Sequence, residues 1–559
     1  MHLIFSLAII VSALTVSINA QALKSNHLIL SNAIIYGHSH ADTIVVTNGK
    51  IVYIGKDATP YYSYNSEIID LEQSYIMPGF IDNHNHVFEA ASEAGGNCEL
   101  NINFSLEAQI PALKRCRSQT NSTGWIMGYG FSLDAILTSN NRYTPLEIID
   151  RIFPNQPIVI MEQTSHSMWV NSAALTLANI TKASPDPQGG KILKDQKTGQ
   201  LNGILLDNAG DIVMEMAWNH LANPFNQSYD GLINGLEEAS MHGITTIGDG
   251  RLYWKRGWLQ VWLQVEKDKK LTSRVSLRPW IYPTAPMTTQ LNFLKQIQSS
   301  DKSRLLLTNQ VKMYSDGLIS NGTAKIIEPY KQTYIPDNPN GINYISPHKM
   351  STWLTELNKI GYSAHIHAIG DLAVRESLNA IEHIRQQGSK KPYTLTHLEL
   401  VNNLDIPRFN TLDVTADFQV GSDYIAQNDH QWAIPYLGRK RAHALMDPQA
   451  IFNTGANVTL SSDWNVNPIN PLVGIANSVK MGSTGLPDIN TAIDAYTINA
   501  AESLGISDIT GSLTVGKSAD FVILENDITH LSIDDIANTP ILMTILQGKI
   551  VYDIDDSPF

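Results

Sequence analysis

Short apolar runs mark both ends of this chain. Near the start lie Leu28-Ile29-Leu30, Ala33-Ile34-Ile35-Tyr36, Thr43-Ile44-Val45-Val46 and Lys50-Ile51-Val52-Tyr53-Ile54, separated by turn signals such as Asn48-Gly49. Runs rich in β-branched residues with such punctuation predict strands and a hairpin. Phe521-Val522-Ile523-Leu524 and Gly548-Lys549-Ile550-Val551-Tyr552 repeat the style near the other end. Two β-rich ends around one long middle predict a small β-sandwich built from both, over residues 23–77 and 510–559.

The middle, 78–509, alternates short apolar runs with amphipathic stretches. The runs include Pro157-Ile158-Val159-Ile160-Met161, Gly243-Ile244-Thr245-Thr246-Ile247, Val311-Lys312-Met313-Tyr314, Ser363-Ala364-His365-Ile366-His367, Tyr393-Thr394-Leu395-Thr396-His397 and Asn457-Val458-Thr459-Leu460-Ser461. Helical periodicity follows several of them, as in residues 371–382. Strand and helix alternating over this length predict an α/β fold with a parallel sheet, and the size favours a (β/α)8, TIM-like barrel carrying an insertion at about 100–230.

Polar residues stand out in or at the end of these runs: His84, His86, Lys312, His367, His397 and Asp463. Catalytic groups of such barrels sit at strand C-terminal ends. In Ile76-Met77-Pro78-Gly79-Phe80-Ile81-Asp82-Asn83-His84-Asn85-His86, a strand places residues i and i+2 on one face, so both imidazoles project together. Paired imidazoles form half of a site suited to zinc, iron, nickel or manganese. Four histidines, a lysine and an aspartate suit two divalent metals. His84 and His86 hold one metal, His367 and His397 the other, and Asp463 lies beside the first. A desolvated Lys312 has a lowered pKa, and its neutral amine can take up CO₂ to become a bridging carbamate. A metal-bound hydroxide is then the expected nucleophile, with Asp463 moving its proton to the leaving nitrogen.

Composition narrows the partners. The chain has 559 residues, is 43% hydrophobic and 16% charged, and carries a net charge of −14. That balance argues against nucleic acid and anionic membrane surfaces. A small molecule is the expected partner, and a homodimer is compatible with the sequence. Residues 1–22 read as a secretory signal peptide: an apolar stretch, then small residues at Ala20 and Ala22, though no basic residue precedes it. Six N-x-S/T sequons (Asn103, Asn121, Asn179, Asn226, Asn321, Asn457) fit a secreted or lumenal glycoprotein, with Asn457 expected to stay bare beside a buried strand. The two cysteines, Cys98 and Cys116, have the option of pairing in an oxidising compartment.

Motifs along nearly the whole chain resemble the amidohydrolase superfamily, specifically its family 3 branch, which includes N-substituted formamide deformylases. They are the 77–86 segment above, Gly124-Trp125-Ile126-Met127-Gly128-Tyr129-Gly130, Ser165-His166-Ser167-Met168-Trp169-Val170-Asn171-Ser172-Ala173-Ala174-Leu175, Val311-Lys312-Met313-Tyr314-Ser315-Asp316-Gly317, His367-Ala368-Ile369-Gly370-Asp371, Thr396-His397, Ser462-Asp463 and Gly516-Lys517-Ser518-Ala519-Asp520. The resemblance implies a metal-dependent barrel plus β-sandwich that hydrolyses C–N bonds other than peptide bonds, in a small amide, formamide or related substrate. It implies the metal set His84, His86, Lys312, His367, His397 and Asp463, with two zinc ions leading and iron, manganese or nickel as alternatives. Thr396 stands where the family often has glutamate, and Asp207 where an acidic residue one methylene longer is usual.

Outside the metal set, His166 is a candidate to polarise the substrate carbonyl. Trp125, Asp316 and Asp371 are candidates for substrate contact, against packing for Trp125, pairing with Lys312 for Asp316 and helix capping for Asp371. Tyr253-Trp254 reads as lid packing and His365 as a residue behind the ligands. The rival functions are a deaminase on the same barrel and a secreted binding protein with a vestigial site.

Overall fold

The computed structural model describes residues 27–91, 96–119, 124–137, 141–427 and 430–555. The expected signal peptide and the Asn121 sequon lie outside them.

Two parallel sheets form the middle of the chain. One runs in the order Leu306–Leu307, Arg274–Ser276, Ile244–Asp249, Phe80–Asn85. The other runs Gln310–Tyr314, Ser363–Ala368, Tyr393–His397, Val414–Gln419, Val458–Ser461. Strands such as Phe80–Asn85 and Ser363–Ala368 are buried along their whole length, as expected for parallel strands covered on both faces. Helices Pro224–Met241, Pro347–Lys359 and Asp371–Gln386 precede strands and turn an apolar stripe inward. Backbone hydrogen bonds tie the two sheets at two places. Lys312 N donates to Pro279 O and Ile281 N to Lys312 O, each at 3.1 Å, while Asp463 N donates to His84 O at 2.8 Å and His86 N to Trp464 O at 2.7 Å.

The chain ends contribute two more sheets. Lys50–Gly55, Thr43–Thr47, His27–Ser31 and Glu67–Asp70 form one; Ile34–Ile35, Tyr75–Pro78, Phe521–Leu524, Ile541–Leu546 and Lys549–Asp553 form the other. Leu30, Ile44 and Val46 from the first pack with Ile76, Phe521 and Ile545 from the second in a common core. Residues 98–207 build a separate six-stranded sheet with its own apolar cluster around Trp169, Phe153 and Leu206. The strand Ile158–Glu162, which sequence pattern groups with the alternating runs of the middle, belongs here and pairs antiparallel with Ser167–Val170. A Cys98–Cys116 disulfide staples its edge strand to helix Ile110–Gln119. Tyr253 is buried and Trp254 stacks on Phe293, so this pair packs rather than facing the cavity. Asn457 donates to Asn499 O and Thr415 Oγ1, and Asn321 is buried.

Between the two parallel sheets lies a polar network. Arg278, fully buried, donates to Gln310 Oε1 (2.9 Å), Asn83 O (2.6 Å) and Asn83 Oδ1 (2.8 Å). Asn83 donates to Asp417, Thr459 and Ser503, and Asp417 also accepts from Thr396, Thr459 and Ser461. Buried polar groups are tolerable when satisfied, and removing one member strands the others. Arg278→Met should therefore lower the unfolding free energy by about 3–5 kcal/mol in a denaturant titration. A loss below about 1 kcal/mol contradicts this reading of the network.

Candidate metal centre and substrate cavity

His84 sits in the last turn of pleat of Phe80–Asn85, and His86 follows just past its end. Asn85, pointing the other way, donates to Asp82 Oδ2 at 2.7 Å. Lys312 occupies the middle of its strand, opposite His365; Tyr314 lies opposite His367, and His367 opposite Thr396. His397 closes its strand, and Asp463 comes two residues after Ser461. Extended registers thus bring side chains hundreds of residues apart onto one floor.

The six expected metal residues converge there. His84 Nε2 lies 3.2 Å from His86 Nε2, 3.3 Å from Asp463 Oδ1 and 3.1 Å from Lys312 Nζ. His86 Nε2 is 3.1 Å from the same Asp463 oxygen, and His397 Nδ1 is 3.9 Å from Asp463 Oδ2. The His397 ring packs at 5.0 Å from His84 and 4.4 Å from His367. On the far side of His84, Nδ1 meets Thr396 Oγ1 and His365 Nε2, each at 3.0 Å.

Burial pushes the His84, His365 and His367 imidazoles well below their ordinary pKa, and His397 down to about 3. Burial likewise drives Lys312 well below the usual ammonium value. For Asp463 burial acts upward, but the hydrogen bond from His86 and its charge win and hold the carboxyl well below the usual range. For His86 burial acts downward, and the facing Glu89 carboxylate (Nδ1 to Oε2, 2.7 Å) raises it instead. Neutral imidazoles and an amine beside a carboxylate crowd lone pairs together. Such a set fits a divalent cation, which accepts neutral nitrogen and anionic oxygen. His84, His397 and Asp463 offer donor atoms within 4.8 Å of one another, and so do His84, His365 and Asp417.

Above this floor opens a cavity of about 340 Å³. His86, His367, His397 and Asp463 form its base, and His166, Arg251 and Tyr314 one wall. His166 Nδ1 is held 2.8 Å from Asp207 Oδ1, with its ring stacked on Tyr314 and tilted over His367. Arg251 pairs with Glu89 at 2.9 Å and donates to Tyr314 Oη at 3.1 Å. Non-glycine residues around the site that hold positive φ include Ser165 (63°), Asp207 (49°), His397 (77°), Met446 (56°) and Asp463 (54°). Each such backbone costs on the order of 1–3 kcal/mol and persists where the surroundings enforce it.

The three expected substrate contacts lie elsewhere. Trp125 is buried in the apolar core, beside His220. Asp316 accepts from the backbone N–H groups of Lys325, Ile369 and Gly370, and its nearest approach to the site is 3.8 Å to His367 Nε2. Asp371 accepts from Ile327 N. Both carboxylates secure loops, because buried backbone donors need acceptors. Pattern reading overlooked Glu89, Arg251, Tyr314 and Glu399. Glu89 left a signal, three residues after His86 at the start of a short helix, and so did Tyr314, two residues after Lys312 on the same strand; Arg251 and Glu399 reach the cavity through loop paths that spacing does not encode.

Known proteins resemble this chain in sequence and in fold. The amidohydrolase family model matches residues 67–552. Protein LONG AFTER FAR-RED 3 of Arabidopsis thaliana is 27% identical over 539 residues, covering 92% of this chain and 88% of its own. N-substituted formamide deformylase of Arthrobacter pascens is 23% identical over 544 residues, covering 92% and 96%. The crystal structure of a metal-dependent hydrolase from Pyrococcus horikoshii superposes with a TM-score of 0.70 at 20% identity, covering 91% of this chain and 99% of that one.

The donor set makes a direct prediction. His84→Ala and Asp463→Ala protein should bind divalent metal at least about 10-fold more weakly than wild type, as read by elemental analysis after dialysis against limiting metal. Trp125→Phe should keep the wild-type content. Full metal retention in His84→Ala places the ion elsewhere.

Proposed function

The chain belongs to the amidohydrolase family, and from that premise we propose that it is a metal-dependent hydrolase of a small amide, formamide or related non-peptide C–N substrate. The observation that carries the reading is the convergence of His84 and Lys312 with His86, His397 and Asp463, the last three of which line the base of a cavity. The nine parallel strand segments, of which Leu306–Leu307 and Gln310–Tyr314 follow one another directly along the chain, and the backbone hydrogen bonds that join the two sheets support a (β/α)8 barrel over residues 78–509. The shared core of the two terminal sheets supports a β-sandwich beside it. The Cys98–Cys116 bridge and the leader-like first 22 residues support passage through an oxidising, secretory compartment.

His84, His86, His367, His397 and Asp463 are the proposed metal residues, with Lys312 between them. Bound divalent metal would supply Lewis acidity, polarising the substrate carbonyl and acidifying a water. Lys312, stripped of water, stands as a neutral amine, the form that CO₂ carbamylates. Asp463 is anionic at the cavity base. Its carboxylate takes the proton from the attacking water and returns it to the leaving nitrogen. Asp207 engages His166 at Nδ1, which leaves Nε2 to meet the substrate across the cavity. Arg251, locked by Glu89 and Tyr314, fixes the wall behind. Glu89 in turn faces His86 Nδ1 and orients its Nε2 toward the floor.

Deamination on a single metal is the second reading, favoured by the compact triad His84, His397 and Asp463. Hydrolysis by the purified protein should vanish after chelation and return with added divalent metal. Asp463→Asn should lower kcat by roughly 10²–10⁴-fold. Unchanged turnover in chelated protein contradicts the proposal, and ammonia release from an amino-heterocycle with one metal per chain favours the deaminase.

A further inference from the structure

The cavity wall carries a carboxylate that the chemistry above leaves unused. Glu399 lies two residues beyond the strand Tyr393–His397 and lines the cavity. Its backbone is anchored there, Met446 N donating to Glu399 O at 2.9 Å. Its Oε2 is buried without a hydrogen-bond partner, and among the described residues no cation pairs with it. The other acidic and cationic groups of these walls are engaged. Arg251 is bound by Glu89, and Asp134 accepts from the phenols of Tyr334 and Tyr436.

A buried carboxylate oxygen without a donor costs free energy that an incoming donor recovers. The strongest recovery comes from a cationic N–H, whose hydrogen bond to a carboxylate is roughly twice as strong as a neutral one. The neighbouring surface suits a cation. Tyr424 and Trp432 line the same cavity and are 43% and 37% exposed at its edge; aromatic faces attract ammonium groups. Leu445 and Met446 add apolar lining against which an alkyl spacer can lie. The volume matches a small molecule, near the lower end of the roughly 300–1,000 Å³ typical of ligand clefts.

We propose that Glu399 determines specificity by receiving a protonated amine at the non-reacting end of the substrate, so that the substrate class is a mono-acylated amine carrying a second, cationic nitrogen. This inference rests on the hydrolase reading for its chemistry, but its binding content can be measured apart from turnover.

The test uses full-length, metal-loaded protein and matched probes: mono-N-acetyl and mono-N-formyl derivatives of short linear diamines, alkyl amides with methyl in place of the terminal ammonium, and acylamino acids ending in carboxylate. Calorimetry reads affinity and amine release reads turnover. Wild-type protein should bind the ammonium member at least about 10-fold tighter than its methyl isostere, with the carboxylate member weakest. In Glu399→Gln that ratio should fall below about 3-fold. Equal affinities in wild type, tightest binding of the carboxylate member, or an undiminished ratio in Glu399→Gln overturns the proposal. Should the variant fail to fold, the wild-type ratios alone decide. Selective binding of the ammonium member without hydrolysis of any probe sustains the role of Glu399 and sinks the hydrolase reading instead.

Discussion

Burial of His84 among other nitrogen donors is the constraint around which this molecule is organised. Its ring is enclosed by His86, Lys312, His365, Thr396 and Asp463 within hydrogen-bonding distance. The neutral imidazoles of His84 and His365 and the Lys312 amine have little to gain from mutual contact, because several of the facing atoms carry lone pairs rather than protons. A cation resolves the conflict, and the strained backbones of His397 and Asp463 persist because the surrounding network enforces them. The same need explains the polar layer beneath: Arg278, Asn83 and Asp417 satisfy one another and hold the strand bearing His84 and His86 in place. Stability of the interior and geometry of the site are therefore one problem.

Much of this was legible in the sequence, and for definable reasons. Periodicity revealed strands such as Lys50–Gly55 and Ser363–Ala368, because a buried strand leaves an apolar run that turn residues bound. The histidines at positions 84, 86, 367 and 397, with Lys312 and Asp463, stood out as polar residues where such runs end, and the strand registers gather all six. The antiparallel placement of Ile158–Glu162 was not legible. A short apolar run looks the same in a parallel sheet and in a mixed one; the hairpin partner decides.

Substrate contacts were the least legible part. Trp125, Asp316 and Asp371 lie in motifs of the chain, yet one fills core and two cap backbone donors. A polar residue near a site answers first to the nearest unsatisfied N–H. Arg251 and Glu399, by contrast, come to the cavity from loops, where position depends on packing that spacing does not record. His166, a candidate from sequence to polarise the substrate carbonyl, lines the cavity, where Asp207 holds its Nδ1 and the Tyr314 ring stacks on it.

The central claim is that these donors share bound metal at the cavity floor. Anomalous-difference density from crystals grown without chelator, recorded at the edge of the metal found by elemental analysis, tests it most directly. The account predicts a peak about 2.0–2.2 Å from the ring nitrogens of His84 and His86 and from an Asp463 oxygen. A fully occupied metal bound only outside this floor, in crystals of active protein, contradicts it.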